Sequence, residues 1–175
     1  TISGNISKSH GGGVNTSNGT VFAMSGGTIT RNIATIAGGG VHLYNDMTVS
    51  GTVNIIDNHV GTVNSSGNTA DTPNNVDCDD YKIVLNGMES DSEIGVTKTM
   101  YQAETKIAFA NEASVSDVNC FSSDDSSCYI VYENNTLYIS TVSHTHSWTY
   151  ETAGNTILAK CAYSGCTETG GTLKL

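Results

Sequence analysis

The residues best equipped for chemistry stand late in the chain. His144 and His146 are followed by Cys161 and Cys166. Two imidazoles and two thiolates are a donor set that suits a tetrahedral structural zinc. Residues two apart on a strand share a face, so His144 and His146 would point the same way. A Cys161–Cys166 disulfide across the turn at Gly165 competes for the same sulfurs, and an oxidising compartment favours it. A second pair, Cys120 and Cys128, flanks a polar Ser-Asp loop that a disulfide would close, and Cys78 competes for either sulfur. The chain has 5 Cys, an odd number, so at least one thiol is left unpaired or binds something else.

Two acidic clusters, Asp77/Asp79/Asp80 and Glu89/Asp91/Glu93, offer the oxygen ligands that calcium takes. The loop pattern D-x-[DN]-x-[DN]-G is missing, and solvated acidic turns are common, so they are the favoured account of the clusters and calcium the lesser one. From Thr1 to Asn58 the charged residues are Lys8, Arg31, Asp46 and Asp57, accompanied by His10 and His42. A glycoside hydrolase needs two carboxylates flanking the bond, and a polysaccharide lyase needs a base with acidic partners. The set is too sparse for either, so such an enzyme stands as the alternative reading. Ice binding on Thr-x-Thr ranks is a second alternative. It has little to work with: Thr28-Ile29-Thr30 has the full pair, but Thr1-Ile2-Ser3 and Thr52-Val53-Asn54 do not.

The elements that would position these residues are repeats. Met24 to Val41 reads MSGGTITRNIATIAGGGV, and its marks recur on both sides. Asn5, Asn32 and Asn58 recur at intervals of 27 and 26 residues. Gly11-Gly12-Gly13 precedes Val14 as Gly38-Gly39-Gly40 precedes Val41, and Gly26 and Gly51 mark a second corner. A fixed period of this size is the signature of a solenoid, whose units bury apolar residues only by stacking. The expected fold is all-β: a right-handed parallel β-helix with three-faced coils over 1–76, less regular capping coils over 77–142, and a small β module over 143–175. Stacked in register, Asn5, Asn32 and Asn58 would form an amide ladder, each Asn taking a left-handed turn conformation. Glycines 12, 13, 26, 39, 40 and 51 fall where the backbone turns sharply or meets another coil. A phosphate-cradling role would need a helix after the loop, and none follows. Arg31 and Asp57 each precede a ladder Asn, which predicts a weak surface ion pair between adjacent coils. Trp148 and Tyr150 are expected in the core of the C-terminal module or packed on the cap.

The pattern GGGV … MSGGTITRN … GGGV resembles the glycine-rich repeats of very large surface proteins of gut Gram-positive bacteria, which are similar to pectate-lyase-type right-handed β-helices. The Ile-x-x-Asn and Gly-Gly-x marks also resemble the short repeats of chlamydial polymorphic autotransporter adhesins. NNV…KIVLNGMESDSEIGVT…FSSDDSSCYIVYENNTLYI is similar to the segment that follows the last glycine-rich coil in such surface proteins. HTHSWTY…GC resembles a small module found after their β-helices. The resemblance implies a non-catalytic structural or adhesive segment of a secreted or wall-anchored protein, with host glycans or matrix proteins as partners.

The formal net charge of −10, with 7 Lys and Arg, argues against nucleic acid, which needs many cations to meet phosphates. No run of residues is long and apolar enough to span a bilayer. The chain opens inside a repeat and ends on the strand-like Thr172–Leu175, so it reads as a fragment of a longer multidomain protein.

Overall fold

The computed structural model describes residues 1–64, 67–98, 106–141, 148–153, 156–161 and 169–174. The chain divides into two compact units, Thr1–Thr141 and Val142–Leu175.

Unit 1 is a stack of strand coils. The first coil holds β1 (Ile2–Ser3), β2 (Ile6–Ser7), β3 (Val14–Asn15) and β4 (Phe22–Met24). The second repeats it with β5 (Gly27–Thr30), β6 (Ile33–Ala34), β7 (Val41–His42) and β8 (Met47–Gly51). The third has β9 (Val53–Ile56), β10 (His59–Asn64), an extra strand β11 (Gly67–Pro73), then β12 (Val76–Asp77) and β13 (Ile83–Met88). Every strand of one coil pairs in parallel with its counterpart in the next, and β11 folds back antiparallel on β10.

The fourth coil breaks the pattern. Its strand β14 (Glu93–Thr97) pairs with β9 through Ile94–Ile55 and with β12 through Val96–Val76. One straight strand therefore serves two columns, and the corner between them is gone. Beyond it, β15 (Lys106–Asn111) continues the β13 column, a 3-10 turn spans Val115–Cys120, and β16 (Phe121–Ser123) lies parallel to β14. The hairpin of β17 (Tyr129–Glu133) and β18 (Thr136–Ser140) then packs antiparallel on β15. The switch from parallel to antiparallel pairing ends the repeat.

In-register stacking places like residues over like, about 4.8 Å apart. One column runs Ile2, Ile29, Ile55, Ile94, Phe121; another runs Val14, Val41, Val76, Val96; a third runs Phe22, Met47, Ile83, Ala110. Ile29, Ile55, Val41, Val76, Met47 and Ile83 are all buried. At roughly 1.5–3 kcal/mol for each buried aliphatic side chain, these columns are the main source of stability.

The register corrects one alignment. Thr28 stacks on Asn54 and Thr30 on Ile56, not on Thr52 and Asn54. Met24 still stacks on Val49, so Thr52 is one extra residue at that corner. The outer rank then reads Ser3, Thr30, Ile56, and no Thr array continues along it. The ladder Asn residues are not themselves left-handed. The residue before each one is: Gly4, Arg31 and Asp57 have φ of 69°, 55° and 57°. Arg31 and Asp57 do occupy one column, joined by the Arg31 N–H to Asp57 C=O bond at 2.8 Å, but their side chains form no ion pair.

Unit 2 is an antiparallel sheet of β19 (Trp148–Ala153), β20 (Thr156–Cys161) and β21 (Thr169–Lys174). Lys160 and Glu151 pair across it at 2.6 Å, on side chains 48% and 60% exposed. Such a pair contributes about 0–1 kcal/mol. Tyr150 is 71% exposed, so of the two places expected for it the core of this unit is excluded. Among the described residues no helix is long and apolar enough to cross a membrane.

Gly4 shows what the left-handed position prefers. Arg31 holds the same conformation on an exposed side chain, where a Cβ is costly. Arg31→Gly is expected to raise stability by on the order of 0.5–1 kcal/mol, the left-handed penalty less the entropy cost of Gly, measured by urea unfolding.

Candidate functional site

The most ordered polar array in unit 1 is the Asn column. The Asn5 N–H and its Nδ2 both donate to Asn32 Oδ1, at 3.0 and 2.9 Å. Asn32 does the same to Asn58 Oδ1, at 3.0 and 2.9 Å. Asn58 does the same to Asn75 Oδ1, at 2.8 and 3.0 Å. The spare donor capacity of Asn58 Nδ2 goes to the carbonyls of Ile29 and Ile56, both at 2.9 Å. Each inner amide thus has two donors and two lone pairs in use, which is what lets Asn32 and Asn58 be fully buried. The array ends on a carboxylate. Asp124 accepts from the Asn75 N–H and Nδ2 at 2.6 Å each, and from Thr97 Oγ1 at 2.7 Å.

The glycines explain why the column fits. A Cβ on Gly13 would lie 3.0 Å from Asn32 Nδ2, and one on Gly40 would lie 2.8 Å from Asn58 Nδ2. The missing side chain in one coil is the space the next coil's amide occupies. Gly12 and Gly39 face neighbouring backbone just as closely, and the left-handed members of the triplets are Gly11 and Gly38. Gly26 and Gly51 sit at the other corner with φ of 124° and 61°.

Asn75 and Asp124 were not foreseen. Val76 stacks on Val41, so Asn75 stands where Gly40 and Gly13 stand in earlier coils. Because β14 has no corner, no further Asn comes from the next coil, and the amide is supplied from the glycine position instead. Gly95 then takes the glycine role, since a Cβ there would meet Asn75 Nδ2 and Asp124 Oδ1. The sequence signal was the change from Gly39-Gly40-Val41 to Asn74-Asn75-Val76. Asn74 is also engaged, accepting the Gly38 N–H at 2.6 Å.

A second cluster lies on the Val14–Val41–Val76 side. Asn15, His42 and Asp77 stack in register. The His42 ring meets His10 at 4.5 Å and Tyr44 at 4.6 Å. His42 is 4% exposed and its Nδ1 has no hydrogen-bond partner. Burial pushes the His42 imidazole below its ordinary range; the Asp77 carboxylate opposes this and His10 adds to it. Burial likewise pushes the Asp77 carboxyl up, against the Asp79 N–H that it accepts at 3.0 Å and the neighbouring His42. The cluster has the makings of a proton-sensitive contact.

The other expected residues are dispersed. Asp79 and Asp80 are exposed while Asp77 is buried, and Asp91 accepts from Thr52 Oγ1 at 2.9 Å. Among the described residues no three His, Cys, Asp or Glu side chains converge as metal ligands. Cys120 and Cys128 are free thiols, not a disulfide. Cys120 turns its sulfur toward the Glu89 and Ser90 carbonyls, at 3.9 and 3.7 Å, while Cys128 lines a cavity of about 320 Å³ with Lys98, Ser123 and Asp125. Cys78 is fully buried, and burial pushes its thiol up to about 12, which leaves it inert at neutral pH. His144, His146 and Cys166 lie outside the described residues; Cys161 closes β20, with its side chain also outside them. No family model, curated protein or solved structure matches the chain.

Two outcomes are expected. Asp124→Ala strands two donors of Asn75, a buried residue, and should cost about 1–3 kcal/mol for each, read by urea unfolding. The second concerns pH. His42 titrates lower in the folded chain, so the unfolded chain takes up the proton first and stability falls as pH drops below about 6.5. Asp77 acts oppositely, gaining its proton in the fold at a pH where the unfolded carboxyl is still charged. Between pH 7.5 and 5.5 the melting temperature should therefore decline, and His42→Leu should flatten that decline. Parallel declines in the two proteins would exclude His42 as its source.

Proposed function

We propose that the chain is a non-catalytic structural and adhesive segment of a secreted or wall-anchored bacterial surface protein. In this reading unit 1 winds as a right-handed parallel β-helix of the pectate-lyase type, and unit 2 begins the next link of a stalk. The observation that carries it is the ladder: the array from Asn5 to Asp124 turns buried polar groups inward to hold coil on coil. The charges of the regular coils support the same reading. Asp46 accepts the Lys82 N–H at 2.8 Å, and Arg31 and Asp57 are exposed turn residues. A rod of this kind displays scattered Ser, Thr and Asn side chains, suited to weak contacts that gain strength by multiplicity.

Host glycans, mucin and matrix proteins are the partners this surface suits. Surface-immobilised chain should retain mucin or a matrix protein saturably, read by surface plasmon resonance. Incubation with pectate, pectin or host glycans should release neither unsaturated products nor reducing ends. Steady release of either product would replace the adhesive reading with an enzymatic one.

A further inference from the structure

The free thiols of unit 1 differ in access. Cys78 is fully buried and Cys120 is 3% exposed, and burial pushes both thiols up. Cys128 is only half-buried, and it opens on the cavity of about 320 Å³. That volume is at the small end of ligand sites, which run from roughly 300 to 1,000 Å³. The groups around it carry both signs of charge. Lys98 brings an ammonium, whose Nζ donates to the Tyr81 carbonyl at 3.3 Å. Asp125 brings a carboxylate, whose Oδ1 accepts the Ser127 N–H at 2.8 Å and the Ser127 hydroxyl at 2.7 Å. The Ser127 hydroxyl, then its N–H, hold the Asp125 carboxyl below its ordinary range, so it is charged at neutral pH. The Cys128 N–H donates to the Asp125 carbonyl at 3.0 Å, closing the turn that keeps thiol and carboxylate at one wall. Ile139 adds an apolar wall.

A cation, an anion and a reachable thiol around one small cavity match a sulfur-bearing α-amino acid. We propose that Cys128 is a modification site that takes a cysteine from a small amino-acid disulfide by thiol–disulfide exchange. The Cys128 thiol loses its proton to water and the thiolate attacks one sulfur of the disulfide. That S–S bond breaks as the new one forms, and the departing half leaves as a thiolate that takes up a proton. One disulfide replaces another, so no further oxidant is consumed. The half that stays sets its α-carboxylate toward Lys98 and its α-ammonium toward Asp125. Cys78 and Cys120 stay out of the exchange because their burial keeps a disulfide from reaching them.

The test incubates the native full chain with L-cystine and locates the adduct by peptide mass spectrometry. Cys128 should gain a cysteinyl group, released by dithiothreitol, at a rate on the order of 100-fold above Cys78 and Cys120. Lys98→Met should slow the reaction of Cys128 with cystine on the order of 5-fold. The same substitution should leave its reaction with uncharged bis(hydroxyethyl) disulfide unchanged. Equal slowing with both disulfides would mean that Lys98 acts on the thiol and not on the incoming amino acid. The proposal is overturned by that result, by no slowing with either disulfide, or by a native Cys128 that reacts no faster than Cys78 and Cys120.

Discussion

A coil that turns inside the protein has to hide the backbone of its own corner. No strand partner reaches the N–H at Asn5, Asn32 or Asn58, and at Asn32 and Asn58 burial excludes water. A side-chain carbonyl from the following coil supplies the acceptor, and the same oxygen takes the side-chain amide as well. The stack depends on this one arrangement. The apolar columns give the greater share of the free energy, but they are indifferent to small slips along the strand. The amide chelate tolerates none, because an Asn displaced by one residue faces the wrong side. Burial supplies the strength of the interface, and the ladder supplies its register.

The glycines belong to the same arrangement. Gly13 and Gly40 lie beside the amides of Asn32 and Asn58, so repeat conservation of Gly and of Asn in this chain is a single volume constraint felt in two coils. The constraint predicts where it lapses. Once β14 runs straight across two columns there is no corner amide to accommodate, and Asn75 occupies the glycine place. The capping region is thus a local rewriting of the repeat: one corner deleted, one glycine replaced by Asn, and a carboxylate at the end that needs only donors.

Much of this was legible in the sequence because it is periodic. Asn5, Asn32 and Asn58 recur at nearly constant intervals, and the strands at Ile94–Thr97 and Leu137–Ser140 follow from apolar patterning. What escaped notice was aperiodic. Asp124 lies 49 residues beyond Asn75, and only folding through β14 to β16 unites them. Thr52, a single extra residue at a corner, breaks the constant spacing, and Thr28 pairs with Asn54, two residues beyond the Thr52 expected. Cys120 and Cys128 are close in sequence, but the strand β16 leads away from Cys120, whose sulfur faces the Glu89 and Ser90 carbonyls. The His42–Asp77 contact carried no motif, since a whole coil with its inserted β10–β11 hairpin separates the residues in sequence.

Every ladder amide points its N–H groups the same way, from Asn5 toward Asp124. An amide carries a dipole of about 3.5 D, and aligned dipoles add. The column is therefore a polarised filament of side chains lying across the strands, positive at its carboxylate end. The Asp124 charge sits there as an acidic residue sits at the start of an α-helix, attracted by groups beyond those it touches. Sheets have little dipole of their own because strand contributions alternate, so in this all-β unit the asparagines supply a directional field that the backbone does not.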